Sequence, residues 1–276
     1  MKILITNDDG IHSPGLRVLA RAFDKLGEVT VVAPDSERSA VGHSITISHP
    51  LRVQEIKQAG KFFGYAINGT PADCVKIALG TIIPQGVDMV VAGINMGLNT
   101  GTHVIYSGTV SGAMEGAILG YPAIAVSVDV DRNNKDYEND DAYFFFPAQF
   151  SVMLANRIME KGLPERTLLN INFPSCSKTE IKGIAITRQG QTVFHDRFQK
   201  RIDPRQNVYY WLEGEVEDVK LEGGDSLDHI AIQKGFISIT PLSSDLTNHR
   251  CIERLKCWDL SLDLEETQTL FENSER

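Results

Sequence analysis

Two adjacent carboxylates, Asp8 and Asp9, stand in the run Asn7-Asp8-Asp9-Gly10, directly after the apolar stretch Ile3 to Thr6. Neighbouring carboxylates repel, and keeping both ionised at the end of a strand is costly unless a cation compensates them. Oxygen ligands of this hardness suit magnesium, manganese or calcium better than zinc. An Asx turn bent at Gly10 explains the same residues without chemistry, so the other polar runs matter. Ala33-Pro34-Asp35-Ser36-Glu37-Arg38-Ser39 closes a second β-rich stretch, and Ser39 or Glu37 could complete a metal shell begun by the aspartates. Gly93-Ile94-Asn95-Met96-Gly97-Leu98-Asn99-Thr100-Gly101 follows a third, and its Asn95 and Asn99 either offer carbonyl oxygens to a cation and donors to a phosphate, or simply make turns. Ser107-Gly108-Thr109-Val110 opens a helical pattern whose first amides form a ready anion site, although capping alone accounts for Ser107. Arg38, His43 and Ser44 lie close enough in the chain to face a phosphate, although a surface salt bridge accounts for Arg38 equally well.

These residues need a scaffold that collects them. Short β-rich runs alternate with helical ones: strand at Ile3–Thr6, helix at Gly15–Leu26, strand at Val29–Ala33, then a possible hairpin of Leu51–Ile56 and Phe62–Ile67. Helix follows at Ala72–Leu79, strand at Val87–Ala92, helix at Gly108–Leu119, strand at Ala123–Val128, helix at Tyr143–Lys161 and strand at Leu168–Asn172. Such alternation predicts an α/β fold, a mostly parallel sheet covered by helices, which places ligands at the carboxyl ends of its strands. The ends after Thr6, Ala33, Ile67 and Ala92 all lead into Asp, Ser, Asn, Gly and Thr, and convergence of these loops on one rim is the functional signal. Neither the G-x-x-x-x-G-K-[ST] nor the G-x-G-x-x-G spacing occurs, which argues against ATP-driven and nicotinamide chemistry.

Beyond Pro174 the pattern changes. Gly183–Thr187, Val208–Leu212 and Phe236–Pro241 are β-like but separated by polar stretches, and Arg188–Gln206 lacks the periodicity to bury a face. The expected division is a catalytic core at 1–175 and an arm or small subdomain at 176–276 that pairs its open strands with a second subunit; a local β-extension on the same subunit fits the pattern as well.

The chain has 276 residues, a formal charge of -9 and 42% hydrophobic content, ordinary for a folded protein and unfavourable for duplex nucleic acid. Its four cysteines show no paired spacing, so they read as structural thiols rather than zinc ligands. No apolar run reaches the length of a membrane span, and the N-terminus turns acidic at Asp8 before a signal core could form; the expectation is a cytoplasmic protein with no membrane partner.

Taken in order, the motifs above, with Asn68-Gly69-Thr70-Pro71-Ala72-Asp73-Cys74-Val75 and Gly235-Phe236-Ile237-Ser238-Ile239-Thr240-Pro241-Leu242, resemble the SurE family of survival-protein nucleotidases over nearly the whole chain. The resemblance implies a Rossmann-like core with helices on both faces of the sheet, and a homodimer or homotetramer built by exchange of C-terminal arms. It implies removal of phosphate from nucleoside 5'- and 3'-monophosphates, and in some members from short polyphosphate. It also implies one divalent ion per subunit, Mg2+ or Mn2+, on the residues matching Asp8, Asp9, Ser39 and Asn95. Asn68, Ser107, Gly108 and Thr109 would then line the phosphate pocket, with Asp8 or Asp9 as general base. Ser39-Ala40-Val41-Gly42 departs from the family, where glycine is expected directly after the serine. A non-enzymatic nucleotide-binding module would use the same loops and is the alternative from another class.

Overall fold

The structure is a computed structural model that describes residues 1–130, 141–175, 179–218, 226–258 and 260. Its centre is a nine-stranded sheet in the order β3-β4-β2-β1-β5-β6-β7-β11-β8. The strands are β1 (Lys2–Thr6), β2 (Glu28–Pro34), β3 (Val53–Gln58), β4 (Lys61–Ile67), β5 (Met89–Met96), β6 (Ala123–Val128), β7 (Thr167–Phe173), β8 (Ile184–Ile186) and β11 (Ile237–Ser243). From β4 through β7 all neighbours run parallel, so the carboxyl ends of β4, β2, β1 and β5 share one rim. The expected α/β class with a mostly parallel sheet is what the structure has.

Alternation along the strands sorts the core into two layers. Ile3 and Ile5 face α1 (Pro14–Phe23) and α5 (Ala142–Lys161), meeting Leu16, Leu19, Phe23 and Phe144. Leu4 faces the other way, toward α2 (Pro71–Ile77) and α4 (Gly108–Ile118), with Cys74, Val75, Val110 and Ala113. Central strands buried on both faces read as unbroken apolar runs, as parallel sheets require. Each such side chain contributes roughly 1.5–3 kcal/mol of transfer free energy. Helix starts are written in the sequence: Ser13 accepts from the Leu16 N–H with Pro14 behind it, and Thr70 with Asp73 forms a reciprocal capping box. Burial raises the Cys74 thiol well above its usual range, in keeping with a structural role.

The expected division at residue 175 is redrawn. β11 pairs antiparallel with β7, and β8 pairs parallel with β11, so segments assigned to an arm belong to the central sheet. The compact unit runs from Met1 to Ser244. What leaves the sheet is a ribbon of β9 (Thr192–Ile202) and β10 (Val208–Asp218), paired over its whole length. Val208–Leu212 and Phe236–Pro241, expected to seek partners on another chain, find them within this one. Arg188–Gln206, read as aperiodic, contains β9; polar residues occupy both of its faces because both face water, and alternation never develops. A short α6 (Asp228–Gln233) follows. Asp245–Arg276 is a separate unit, in which α7 (His249–Lys256) is capped by Asn248 and exposes Ile252 and Leu255.

Candidate active site

A cavity of about 620 Å³ opens at the rim, lined by Asp8, Asp9, His12, Glu37, Ser39, Asn95, Asn99, His103, Tyr106 and Ser107, among others. All four residues expected to hold metal therefore line one space. β1 delivers the aspartates and the turn after β2 delivers Ser39, tethered to β1 by Arg38 N–H donating to the Asp8 carbonyl (2.7 Å). A register shift between Ala92 and Asn95 inserts one extra residue in β5 relative to β6, the kind of bulge that re-aims a side chain beside a site. The Asn95 amide nitrogen donates to the Gly97 carbonyl (2.8 Å), which leaves its oxygen as the atom for a ligand.

Asp8 is buried, and its carboxylate accepts from the Thr109 hydroxyl and N–H. Burial still pushes its pKa above the ordinary range, against those hydrogen bonds. Asp9 is raised as well: burial first, then the charges of Asp8 and Glu37, push it up to about 8, opposed by a bond from the Met96 N–H. Its Oδ2 is buried with no hydrogen-bond partner among the described residues. Close approach to α4 makes this arrangement possible, since a Cβ on Gly108 would lie 2.7 Å from the Asp8 Cβ.

Two carboxylates, a hydroxyl and an amide oxygen fit a hard divalent ion: the unpartnered Asp9 oxygen and the cost of two buried neighbouring charges are what such an ion would relieve. Among the described residues no group of three or more His, Cys, Asp and Glu is placed to hold a metal ion by itself.

The residues expected to bind phosphate divide three ways. Ser107 lines the cavity and also caps α4, accepting from the Val110 N–H (3.0 Å). Gly108 and Thr109 lie directly against Asp8 and position it. Asn68 is elsewhere: its side-chain oxygen accepts from the Arg52 N–H (2.5 Å), and it does not line the cavity. β4 sits two strands from β1, roughly 10 Å away at ordinary strand spacing, which takes the end of β4 out of reach. Of the nearby candidates, His43 bonds Glu115 (2.7 Å) and the Ser44 carbonyl accepts from the Thr70 hydroxyl (2.7 Å), so both anchor the loop after Ser39. Tyr106 adjoins the Ser107-Gly108-Thr109-Val110 motif but carries no role read from it, no motif marks His12 or His103, and only the folded rim brings the three rings together.

The family model described as Survival protein SurE matches residues 3–196. The chain is 48% identical over 259 residues to a protein of Moorella thermoacetica named 5'-nucleotidase SurE, covering 94% of this chain and 96% of that one. A Heliobacterium modesticaldum protein of the same name is 45% identical, at 94% and 92% coverage. Among solved structures, the SurE protein of Aquifex aeolicus superposes with a TM-score of 0.75 at 40% identity, covering 93% of this chain and 98% of that one.

Proposed function

The chain belongs to the SurE family and is a 5'-nucleotidase, and we propose that it hydrolyses nucleoside monophosphates with one divalent cation, Mg2+ or Mn2+, held by Asp8, Asp9, Ser39 and Asn95. One observation carries the metal reading: a buried Asp9 oxygen without a partner, on a carboxylate raised to about 8, beside a second buried carboxylate. When bound, such a cation supplies charge for the phosphoryl oxygens and lowers the pKa of water.

The chain's own residues do the rest. Thr109 fixes Asp8 through two hydrogen bonds, so its carboxylate reaches the site in one orientation. The first turn of α4 presents the positive end of its dipole beside Ser107, which suits charge on a transferring phosphoryl group. A general base must lie within hydrogen-bond reach of the attacking water. Asp8 and Asp9 both line the cavity and are the carboxylates of the metal shell for that role.

Activity on 3'-monophosphates and short polyphosphate belongs to the same reading, supported by a cavity roomy enough for either the monoester or the anhydride. So does self-association through the β9–β10 ribbon, whose Phe198, Tyr210, Trp211 and Leu212 are exposed. Among the described residues no helix is long and apolar enough to cross a membrane. The test is release of inorganic phosphate from a panel of 5'- and 3'-nucleoside monophosphates and tripolyphosphate, with manganese, magnesium or chelator. Release that requires the cation is expected; equal rates in excess chelator would sink the metal assignment, and no release from any nucleotide would sink the hydrolase reading.

A further inference from the structure

Beyond the carboxylates, the cavity has a second kind of wall. His103 and Tyr106 both line it, at the first and last positions of a one-turn helix, α3 (His103–Tyr106). That turn is pinned at both ends: the Ser107 N–H donates to the His103 carbonyl (3.0 Å), and the Gly42 N–H donates to the Tyr106 carbonyl (2.9 Å). Behind the two rings stands Phe194, from the base of the ribbon. Its ring centroid lies 4.9 Å from that of His103 and 5.6 Å from that of Tyr106, at interplanar angles of 68° and 88°. Perpendicular packing of this kind fixes the tilt of both rings against Phe194. The ribbon's base is itself clamped to the loop before α3, because the Thr102 hydroxyl donates to the Thr192 carbonyl (3.0 Å) and accepts from the Thr192 N–H (2.9 Å).

We propose that His103 and Tyr106, held in place by Phe194, form the stacking surface for the nucleobase of the substrate, so that the foot of the β9–β10 ribbon sets affinity for nucleotides over base-free phosphate esters. The inference rests on the nucleotidase reading and adds where the base sits. Every nucleobase presents a π-face, and aromatic platforms bind bases with little regard to sequence. A single cavity of this size holds a molecule as large as a nucleotide, with the phosphate at the carboxylate end and the base against the ringed wall. Phe194 touches the wall rather than the substrate and is a positioning residue; His103 and Tyr106 make the contact. His12, the remaining ring that lines the cavity among the described residues, is the rival platform.

The experiment compares AMP with ribose 5-phosphate, the same ester on the same sugar without a base, on the full-length protein. Phe194→Ala is expected to raise KM for AMP about ten-fold, the lower range for loss of a base-stacking contact, with kcat unchanged. For ribose 5-phosphate, kcat/KM should move by less than about two-fold. Phe194→Tyr, which keeps a ring against both neighbours, should restore the KM for AMP and also covers the case in which the alanine variant fails to fold. Equal losses on both substrates would reduce Phe194 to a general structural role, and an unchanged KM for AMP would place the base elsewhere; either outcome overturns the proposal. So would a KM effect confined to His12→Ala. Failure of the underlying nucleotidase reading looks different, since the unmodified protein would then release phosphate from neither substrate.

Discussion

The rim of the sheet and the β9–β10 ribbon are both polar, yet they are built on opposite terms. At the rim, polar groups are buried and tied to one another: Thr109 to Asp8, the Asp8 carbonyl to Arg38, and His43 and Lys76 to the buried carboxylate of Glu115. Beyond the ribbon's clamped foot, polar and aromatic side chains among the described residues alike face water, and the strands are held to each other. Burial is what turns Asp9 into a perturbed group, whereas Asp196 on the ribbon stands exposed to water. Density of tertiary contact, not polarity of sequence, separates a place where charge does work from a place where it keeps a surface soluble or meets another chain.

The sharpest way to break this contrast is Asp9→Asn. Loss of one metal-shell charge should lower kcat/KM on the order of a thousand-fold, about 4 kcal/mol. The same change replaces a group whose ionised form has no partner, so the metal-free protein should melt no lower than the unmodified one and lose its extra stability in manganese. Phosphate release at the unmodified rate in saturating cation would take Asp9 out of the site.

Deletions probe the other side of the comparison. Ending the chain at residue 177 strips β8 and β11 from the sheet, so loss of the folded core is expected by circular dichroism. Removing only residues 199–211 and joining Phe198 to Leu212 through an Asn-Gly turn keeps Phe194 and shortens the ribbon. That variant should stay folded and active per site while sedimenting as a smaller assembly. An unchanged sedimentation coefficient, corrected for mass, would show that the outer ribbon does not mediate association.

Titration distinguishes the regions more gently. A carboxyl raised to about 8 in the folded chain, against 3.8 ordinarily, binds a proton that the unfolded chain has released. Metal-free stability should therefore fall as pH rises from about 4 toward 8, and divalent cation should flatten that slope by replacing the proton. Asp73 has the opposite sign. Burial opposes its ionisation, but bonds from Thr46 and Thr70 outweigh this and hold it below 3.8, so its contribution is present above that value and lost as pH falls through the lowered one. Melting curves from pH 2 to pH 9 with and without manganese check both, and in Asp73→Asn the loss at the acid end should shrink.

The smallest effect concerns Ala40, which follows Ser39 with a φ of 54° in the left-handed region. Ala40→Gly should stabilise the protein by about 1 kcal/mol by relieving that conformation, offset in part by the freer unfolded chain. A lower midpoint in urea would show that the turn gains from its alanine.

Much of this was legible before folding. The alternation of Ile3, Leu4 and Ile5, Ser13-Pro14 at a helix start, the Thr70 and Asp73 capping box and the acidic pair after β1 are local signals, because strand period and cap chemistry act within a few residues. Ser39 and Asn95 were identifiable by motif, and the parallel order of β2, β1 and β5 brings them to Asp8 and Asp9. Tertiary structure alone decided the rest. Asn68 carries as polar a loop as Asn95 but leaves a strand one place too far out, and no local signal encodes strand order. β11 reads like any isolated apolar run until β7 supplies its partner from 70 residues earlier in the register of Ile239 with Thr240 against Ile171 and Asn170. The pairing of Phe194 with His103 and Tyr106 spans a still larger gap in chain, and it exists because the ribbon returns its foot to the rim. Sequence sets what each segment can be; which segments meet is set by burial of the whole, where long-range contacts repay the entropy of closing the loops between them.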